Sequence, residues 1–348
     1  MVEFLSILLA PFVAIAIIPT FSIVTLIFLP YYLTVAVLAK LFRPDLTAPI
    51  FGDPIFLTTE LPQNNAASIT NLIPLDGIIS TEMACKLFIQ RVVEKKNEDK
   101  NNMLFYRYRH TWTRFLGLNF WQLPRKPFRA EDHVREYDLD GELELPSPCG
   151  QEDLLKKFGA LSERPWMEGR SPWEFLVIQD YRTESEPGKP RTALLLRHHH
   201  GLIDGYGVMS VIRELSQCPC TLPKINFKAS TLLTKMYSYS RIPYDISKEL
   251  TPCLFPCLSR SKSSSRWPVP SGEMGALEVA FSEPIKVETI RRIKNQLGVS
   301  FLAVNLAISI GALKRLLLEQ ENVDIPAEFP VIFPVPKPNH PGGTNVHL

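Results

Sequence analysis

A short histidine-rich motif is the part of the sequence best suited to acid–base chemistry. His199, His200, Asp204 and Gly205 occupy the fixed places of an H-H-x-x-x-D-G pattern. Histidine has an ordinary pKa of about 6.5, so it exchanges protons near neutral pH. His200 is therefore predicted to be a general base that takes the proton of a hydroxyl group as its oxygen attacks a thioester. Such help is worth about 10²–10⁴ in rate.

The neighbours of His200 carry further predictions. Its second ring nitrogen needs a local acceptor, such as its own backbone carbonyl, to fix the tautomer. Asp204 is either the third member of a triad or a structural residue that pins a turn and pairs with a distant arginine. Gly205 supplies backbone freedom or close approach. The alternatives are that the three histidines form only a polar strand end, or a metal site. Successive rings in a strand point to opposite faces, so a metal would need ligands from elsewhere in the chain.

The motif lies between a predicted strand and a predicted helix. An apolar run at Trp173–Ile178 and a second at Thr192–Arg197, separated by a polar turn over 183–190, are typical of a β-hairpin. Apolar residues at helical intervals predict a helix over Gly207–Ser216. The second strand and this helix would hold the histidine rigidly.

The remaining elements are predicted from periodicity and turn residues. Residues 46–78 are predicted to be extended chain and turns, and the aromatic residues within 101–122 to be buried in strands. A helix is predicted at Ile79–Lys96 with Ser80 or Thr81 as its cap, and another at 150–158 with Gly159 as its stop. Two more helices are predicted at Val287–Leu297 and Leu302–Glu319. Further strands are predicted at Ala276–Phe281 and Phe329–Pro334.

The amino-terminal segment has the composition of a membrane anchor. Phe4–Ala39 holds 36 residues with no Asp, Glu, Lys or Arg, whereas one span needs about 20. Proline loses its amide donor and clashes with the preceding turn, so breaks in the helix are predicted at Pro11, Pro19 and Pro30. A single span with an interfacial extension and a helical hairpin both fit, and a buried pair of core helices is the alternative. Lys40 and Arg43 follow and indicate a cytoplasmic exit.

Composition excludes some classes of protein. The chain has 38 basic and 36 acidic residues, a net charge of +2, which argues against a nucleic-acid partner. Its six cysteines lack the spacing of zinc sites and are too few for a disulfide scaffold. Free thiols and the absence of an Asn-x-Ser/Thr sequon favour a body that faces the cytosol.

The motif and its flanking residues resemble one known family. Arg170-Ser-Pro172-Trp173-Glu174, then the hairpin, then the H-H-x-x-x-D-G element is similar to the wax ester synthase/diacylglycerol acyltransferase family. His133, Tyr137 and the helix after Gly298 also resemble it, although Leu302-Ala303 stands where the family usually has Asn-Asp. The resemblance implies that His200 is the catalytic base with Asp204 as its structural partner. The residues that would support the motif are His199, Gly205, Pro172, Trp173 and Glu174.

The resemblance also implies an α/β, two-lobed fold of the CoA-dependent acyltransferase (chloramphenicol acetyltransferase-like) kind. The expected divisions are a membrane anchor over 1–45, an amino-terminal lobe over 46–216, a linker over 217–273 that touches the membrane through Leu254 and Phe255, and a carboxy-terminal lobe over 274–348. At this length the second lobe would be incomplete.

The activity implied is esterification of a long-chain alcohol or diacylglycerol. Acyl-CoA is the expected co-substrate, with no permanently bound cofactor, and the membrane lipid is the expected environment. The catalytic lobe would face the cytosol at the endoplasmic reticulum or plasma membrane. The alternative is a catalytically impaired, truncated family member with a regulatory or lipid-binding role.

Overall fold

The computed structural model describes most of the motif-bearing part of the chain. The described residues are 2–49, 67–97, 102–124, 127–167, 169–183, 186–217, 231–242, 244–245, 276–319, 340 and 342–344. The predicted strand Phe329–Pro334 and the predicted membrane contacts of Leu254 and Phe255 lie outside them.

Helix α1 (Val2–Phe42) is one continuous helix of 41 residues. The breaks expected at Pro11, Pro19 and Pro30 are absent, so the helical-hairpin alternative is wrong. At 1.5 Å per residue α1 is about 60 Å long. Its stretch Ser22–Phe42 is apolar and long enough to cross a membrane by length and composition, with a mean hydropathy of 2.0.

A small antiparallel sheet follows α1. Its strand order is β1-β4-β3, and its strands are β1 (Leu46–Pro49), β3 (Thr111–Phe115) and β4 (Leu118–Gln122). Strands β3 and β4 pair in register from Thr111–Gln122 to Phe115–Leu118, with a two-residue turn between them. Trp112, Phe120 and Trp121 are buried in these strands, as predicted. The prediction is wrong for Phe105 and Tyr108, which are buried outside strands, at and within a short 3-10 helix over Tyr106–Arg109.

A mixed five-stranded sheet forms the centre of the lobe. Its order is β2-β8-β7-β5, with β6 also paired to β7. The strands are β2 (Ser68–Leu75), β5 (Val134–Glu136), β6 (Cys149–Gly150), β7 (Trp173–Thr183) and β8 (Glu186–His199). Strands β7 and β8 form the predicted hairpin but are longer than expected, and their apolar runs are buried on both faces, as is typical of a central strand.

Helices cover the two faces of this sheet. They are α2 (Thr81–Phe88, continued as a π-helical turn over Ile89–Val93), α3 (Gln151–Glu163) and α4 (Gly205–Ser216). Helices α2 and α4 pack with Phe175, Val177 and the leucines of β8 that share their face. Helix α3 packs on the opposite face, against Leu176 and Leu195. The strand alternation of side chains thus produces a three-layer lobe.

Several helix boundaries confirm the sequence predictions. Ser80 caps α2 by accepting a hydrogen bond from the Met83 amide at 3.2 Å. Helices α6 (Val287–Leu297) and α7 (Phe301–Glu319) are present as expected. An exposed helix α5 over 232–242 lies in the predicted linker.

Two predictions around Gly159 are wrong. Helix α3 does not stop there but continues to Glu163. Gly159 instead allows the backbone of Leu277 to lie against the helix, since a Cβ at this position would stand 1.7 Å from the Leu277 carbonyl oxygen. Residues 276–281, predicted to be a strand, are extended chain without strand pairing in the described part of the structure.

Candidate active site

The histidine motif begins at the end of β8 and is held by two neighbouring segments. The backbone amide of His199 donates to the Pro172 carbonyl at 2.9 Å, and the amide of His200 donates to the Ala67 carbonyl at 2.7 Å. The chain then turns, because the Gly201 amide donates to Nδ1 of His199 at 2.9 Å. Pro172 and His199 thus contact the motif through a backbone carbonyl and a ring nitrogen.

The three consecutive histidines lie in different environments. His198 is fully buried, and its Nε2 lies 2.5 Å from the Tyr108 hydroxyl; burial lowers the pKa of His198 to about 3. His199 is also fully buried, with its ring 4.6 Å from that of Trp112. His200 alone of the three is only partly buried. Of the three, it is therefore the histidine whose side chain has an exposed surface.

The surroundings of His200 favour the neutral imidazole. Burial lowers its pKa from the ordinary value, while its own backbone carbonyl and the Asp204 carboxylate act in the opposite direction. The net direction is downward, so His200 is in the basic, proton-accepting form at neutral pH.

This direction predicts the pH profile of any reaction in which His200 is the base. The base is active only when neutral, so kcat/KM should rise with pH and level off above the pKa of the free enzyme. Because burial lowers that pKa, the midpoint of the acid limb is expected below 6.5. Initial rates between pH 5 and 8 would measure it. A midpoint above 7 would show that a different group limits the rate.

Asp204 has a structural position. It caps α4, because its Oδ1 accepts a hydrogen bond from the Gly207 amide at 2.8 Å. Its Oδ2 lies 2.8 Å from Nε2 of His340. The Gly342 amide donates to Nδ1 of His340 at 3.0 Å, so the ring proton is on Nε2 and faces Asp204. Among the described residues, the partner placed at this oxygen is a histidine, whereas the sequence led us to expect a distant arginine.

The residues around His340 are a part of the site that sequence reasoning missed. Thr344 is fully buried, and its hydroxyl accepts a hydrogen bond from the Arg107 amide at 3.1 Å. Gly207 faces this segment, since a Cβ there would stand 2.4 Å from the Gly343 carbonyl oxygen. A histidine before a Gly-Gly pair was the available signal. Residues 340 and 342–344 therefore lie against the first turn of α4.

Gly205 does not have the role predicted for it. It is the first residue of α4, and a Cβ there would meet no atom within 4 Å. Its backbone φ is not positive, so its conformation does not require glycine. The close approach expected at Gly205 occurs two residues later, at Gly207.

The Pro-Trp-Glu element supports the motif from strand β7. Trp173 is buried; its indole N–H donates to the Tyr108 carbonyl at 2.9 Å. The same tryptophan stacks on His133, with ring centroids 4.4 Å apart and planes 10° apart. Tyr108 in turn contacts His198, so Trp173 packs behind the end of β8.

Glu174 is the centre of a buried charge cluster. Its two oxygens accept hydrogen bonds from Arg197 at 2.8 Å, Arg164 at 2.5 Å and Arg135 at 3.1 Å. The guanidinium of Arg197 lies 3.9 Å from the ring centre of Trp166. Burial raises the pKa of Glu174, but the charges of Arg164 and Arg197 outweigh it, and the pKa is lower than usual. Glu174 is therefore ionised and holds together three cations beside the motif.

The site and its setting define a class: a mixed α/β lobe that presents a motif histidine between a central strand and a capped helix. Residues 54–223 match the sequence profile of the wax ester synthase/diacylglycerol acyltransferase catalytic domain. This stretch of the chain belongs to that family, as the motif and its flanking residues indicated.

Comparisons with individual proteins cover part of each relative. Two Mycobacterium tuberculosis proteins (strains CDC 1551/Oshkosh and H37Rv), provisionally named diacylglycerol O-acyltransferases, are 23% identical over 233 residues, which is 61% of this chain and 43% of each of them. The solved wax ester synthase/diacylglycerol acyltransferase from Marinobacter aquaeolei VT8 has 20% identity and a TM-score of 0.29, and the match covers 47% of this chain and 36% of that one. The tallysomycin biosynthesis protein TlmII has 17% identity and a TM-score of 0.30, with 44% and 33% covered. The chain thus spans less than half the length of these relatives.

Proposed function

We propose that this chain is an acyl-CoA-dependent O-acyltransferase of the wax ester synthase/diacylglycerol acyltransferase type. The observation that carries the proposal is the position of His200, the one partly exposed histidine of its triplet, with a lowered pKa, beside a capped helix. The two other motif histidines are buried in contacts with Tyr108 and Trp112. The acceptor is a long-chain alcohol or diacylglycerol, and acyl-CoA is the co-substrate.

The reaction follows from a neutral imidazole beside a hydroxyl. His200 takes the proton of the acceptor hydroxyl as its oxygen forms a bond to the thioester carbonyl carbon. The carbon–sulfur bond then breaks, and the CoA thiolate leaves with the proton that the His200 imidazolium returns. The products are an ester and CoA. Asp204 acts through α4 and the turn that it caps, as a positioning residue.

Helix α1 gives this activity its location. Its apolar stretch would anchor the lobe in a membrane, where long-chain alcohols and diacylglycerol also reside. Lys40 lies in the last turn of α1 and Arg43 directly follows the helix, and basic residues at a helix end favour the cytosolic side. The free thiols of Cys85 and Cys149 fit a reducing compartment. We therefore assign the catalytic lobe to the cytosolic face of the endoplasmic reticulum or plasma membrane.

Acyl transfer in membranes tests the proposal directly. Membranes containing the full chain would be incubated with labelled palmitoyl-CoA and either hexadecanol or dioleoylglycerol. We expect a labelled ester with at least one acceptor and an equal amount of released CoA, both above membranes from cells with an empty vector. If the full-length, membrane-bound chain gives no ester with either acceptor, the proposal is wrong.

A further inference from the structure

The small sheet packs lengthwise along the end of helix α1. Val35 and Ala39, one turn apart on α1, are both 2% exposed and pack against Phe120. One turn before Val35, the Tyr31 hydroxyl donates to the Leu116 carbonyl at the turn between β3 and β4. Tyr31 also lies against Gly117, where a Cβ would be 3.2 Å from its hydroxyl oxygen. The tip of this hairpin is therefore fixed at the level of Tyr31.

Leu116, at the tip of the hairpin, is an unusual residue for the backbone conformation found there. Leu116 and Gly117 have φ of +45° and +76°. Two successive positive φ values in a two-residue turn are typical of a type I′ hairpin, which favours Asn-Gly. A bulky side chain is strained in this region. Leu116 is nevertheless 50% exposed, so neither the turn nor packing within the lobe accounts for leucine here.

The residues of α1 just before Tyr31 are apolar and exposed. Tyr31 precedes Lys40, the first charged residue after the apolar run, by nine residues, or about 13 Å of helix. Leu26, Ile27 and Phe28, just before it, are all more than half exposed. Tyr31 and Tyr32 are the aromatic pair that a membrane–water boundary favours. Because the small sheet covers Val35 and Ala39, the lipid-facing part of α1 ends before Val35 rather than at Phe42, and the hairpin tip lies at that boundary.

We infer that the tip of the β3–β4 hairpin is seated in the bilayer at the headgroup–acyl boundary, with Leu116 as its anchor. The inference rests on the membrane attachment proposed for α1. Arg114, exposed two residues before the tip, sets the depth, because a guanidinium stays at the headgroups while its stem follows apolar surface. The partner that this apolar tip contacts is the lipid bilayer.

The same hairpin connects the bilayer to the motif. Trp112 lies four residues before Leu116 on β3, which is about 13 Å of strand. The Trp112 ring contacts the buried ring of His199, the neighbour of the base. A seated tip therefore holds the motif within about two nanometres of the membrane surface.

Fluorescence quenching tests the seating without requiring catalysis. Leu116→Cys, in a background without the six native cysteines, would be labelled with an environment-sensitive nitrobenzoxadiazole and reconstituted in phosphatidylcholine–phosphatidylserine vesicles. Ile78→Cys is the matched control: Ile78 is 72% exposed and follows Gly77, whose carbonyl accepts from the Thr192 amide in the middle of β8. We expect blue-shifted emission and quenching by shallow spin-labelled lipid at residue 116, and quenching by iodide at residue 78.

The outcomes separate this inference from the function on which it rests. If the protein floats with the vesicles but iodide quenches both probes equally, the hairpin is not seated and the membrane attachment stands. If the protein does not float, both the attachment and the inference fail.

Leu116→Asn provides a kinetic test in the active protein. Asparagine suits the strained turn, so folding should be preserved, but the apolar anchor is lost. We expect the KM for a bilayer-borne acceptor to rise about tenfold, following the transfer free energy of one leucine side chain. Turnover with a water-soluble short-chain alcohol should be unchanged. Ile78→Asn should alter neither value. An unchanged KM for the bilayer acceptor in Leu116→Asn would overturn the inference.

Discussion

Replacing His200 by alanine is expected to lower kcat for ester formation at least about a hundredfold. The substitution removes the one group proposed to take the acceptor proton, and without it a hydroxyl is a poor nucleophile toward a thioester. The effect should appear in kcat more than in KM, because proton transfer belongs to the transition state. Initial rates at saturating palmitoyl-CoA, with either acceptor, would measure it.

The expected loss must be distinguished from loss of the fold. His200 is partly exposed, so its truncation should leave the thermal unfolding temperature nearly unchanged. His110 provides a matched control: it is also partly buried, burial also lowers its pKa, and its Nδ1 lies 2.9 Å from the Tyr106 carbonyl. His110→Ala should keep full activity. Equal ester yields from His200→Ala and the unmodified protein would remove His200 from the mechanism.

Local features of this lobe could be predicted from the sequence. The Ser80 cap, helices α6 and α7 and the β7–β8 hairpin all follow from periodicity and turn residues within one segment. The position of the motif between a strand and a helix was predictable for the same reason. Such signals are carried by residues that are neighbours in the chain, so they do not depend on the rest of the fold.

Contacts between distant segments could not be predicted in this way. The partner of Asp204 lies 136 residues away, at His340. The sequence predicted a helix stop at Gly159, but its lack of a side chain instead leaves room for the backbone of Leu277. Gly207, rather than Gly205, meets residue 343 for the same reason. A glycine in a sequence indicates close approach or a special φ, but only the tertiary fold selects which.

The prolines of α1 illustrate a related limit. A proline removes one backbone hydrogen bond and strains the preceding turn, which is why breaks were expected. The long apolar run around Pro11, Pro19 and Pro30 nonetheless stays helical. In the lipid environment proposed for α1, a helix satisfies its own backbone groups, so an interruption would cost more than a strained turn.

The buried charge cluster gives the second large prediction, which concerns stability. Replacing Glu174 by glutamine keeps the shape of the side chain but removes the negative charge that Arg135, Arg164 and Arg197 share. Arg197 is 1% exposed, so its charge cannot be screened by water after the change. Removing one partner of a buried ion pair costs about 3–5 kcal/mol, because an uncompensated buried charge remains. We expect Glu174→Gln to lower the free energy of unfolding by about this amount.

The direction in which this loss of stability changes with pH follows from the pKa of Glu174. The pKa of Glu174 is lowered in the folded protein, because Arg164 and Arg197 outweigh the opposing effect of burial. Its carboxylate therefore contributes stability above its ordinary pKa, and that stability is lost as pH falls through the folded pKa. The difference between the glutamine variant and the unmodified protein should accordingly be full at pH 7 and shrink below about pH 4.

Urea unfolding of the purified full chain in mild detergent, followed by circular dichroism at pH 7 and at pH 4, would measure both effects. Glu152→Gln is the matched control, because Glu152 pairs with Lys156 at 2.9 Å on the exposed surface of α3. Water screens that pair, so its loss should have no measurable effect. If Glu174→Gln unfolds at the same urea concentration as Glu152→Gln, the three arginines do not depend on Glu174. The support of β8 would then have to come from the packing of Trp166 and Trp173 alone.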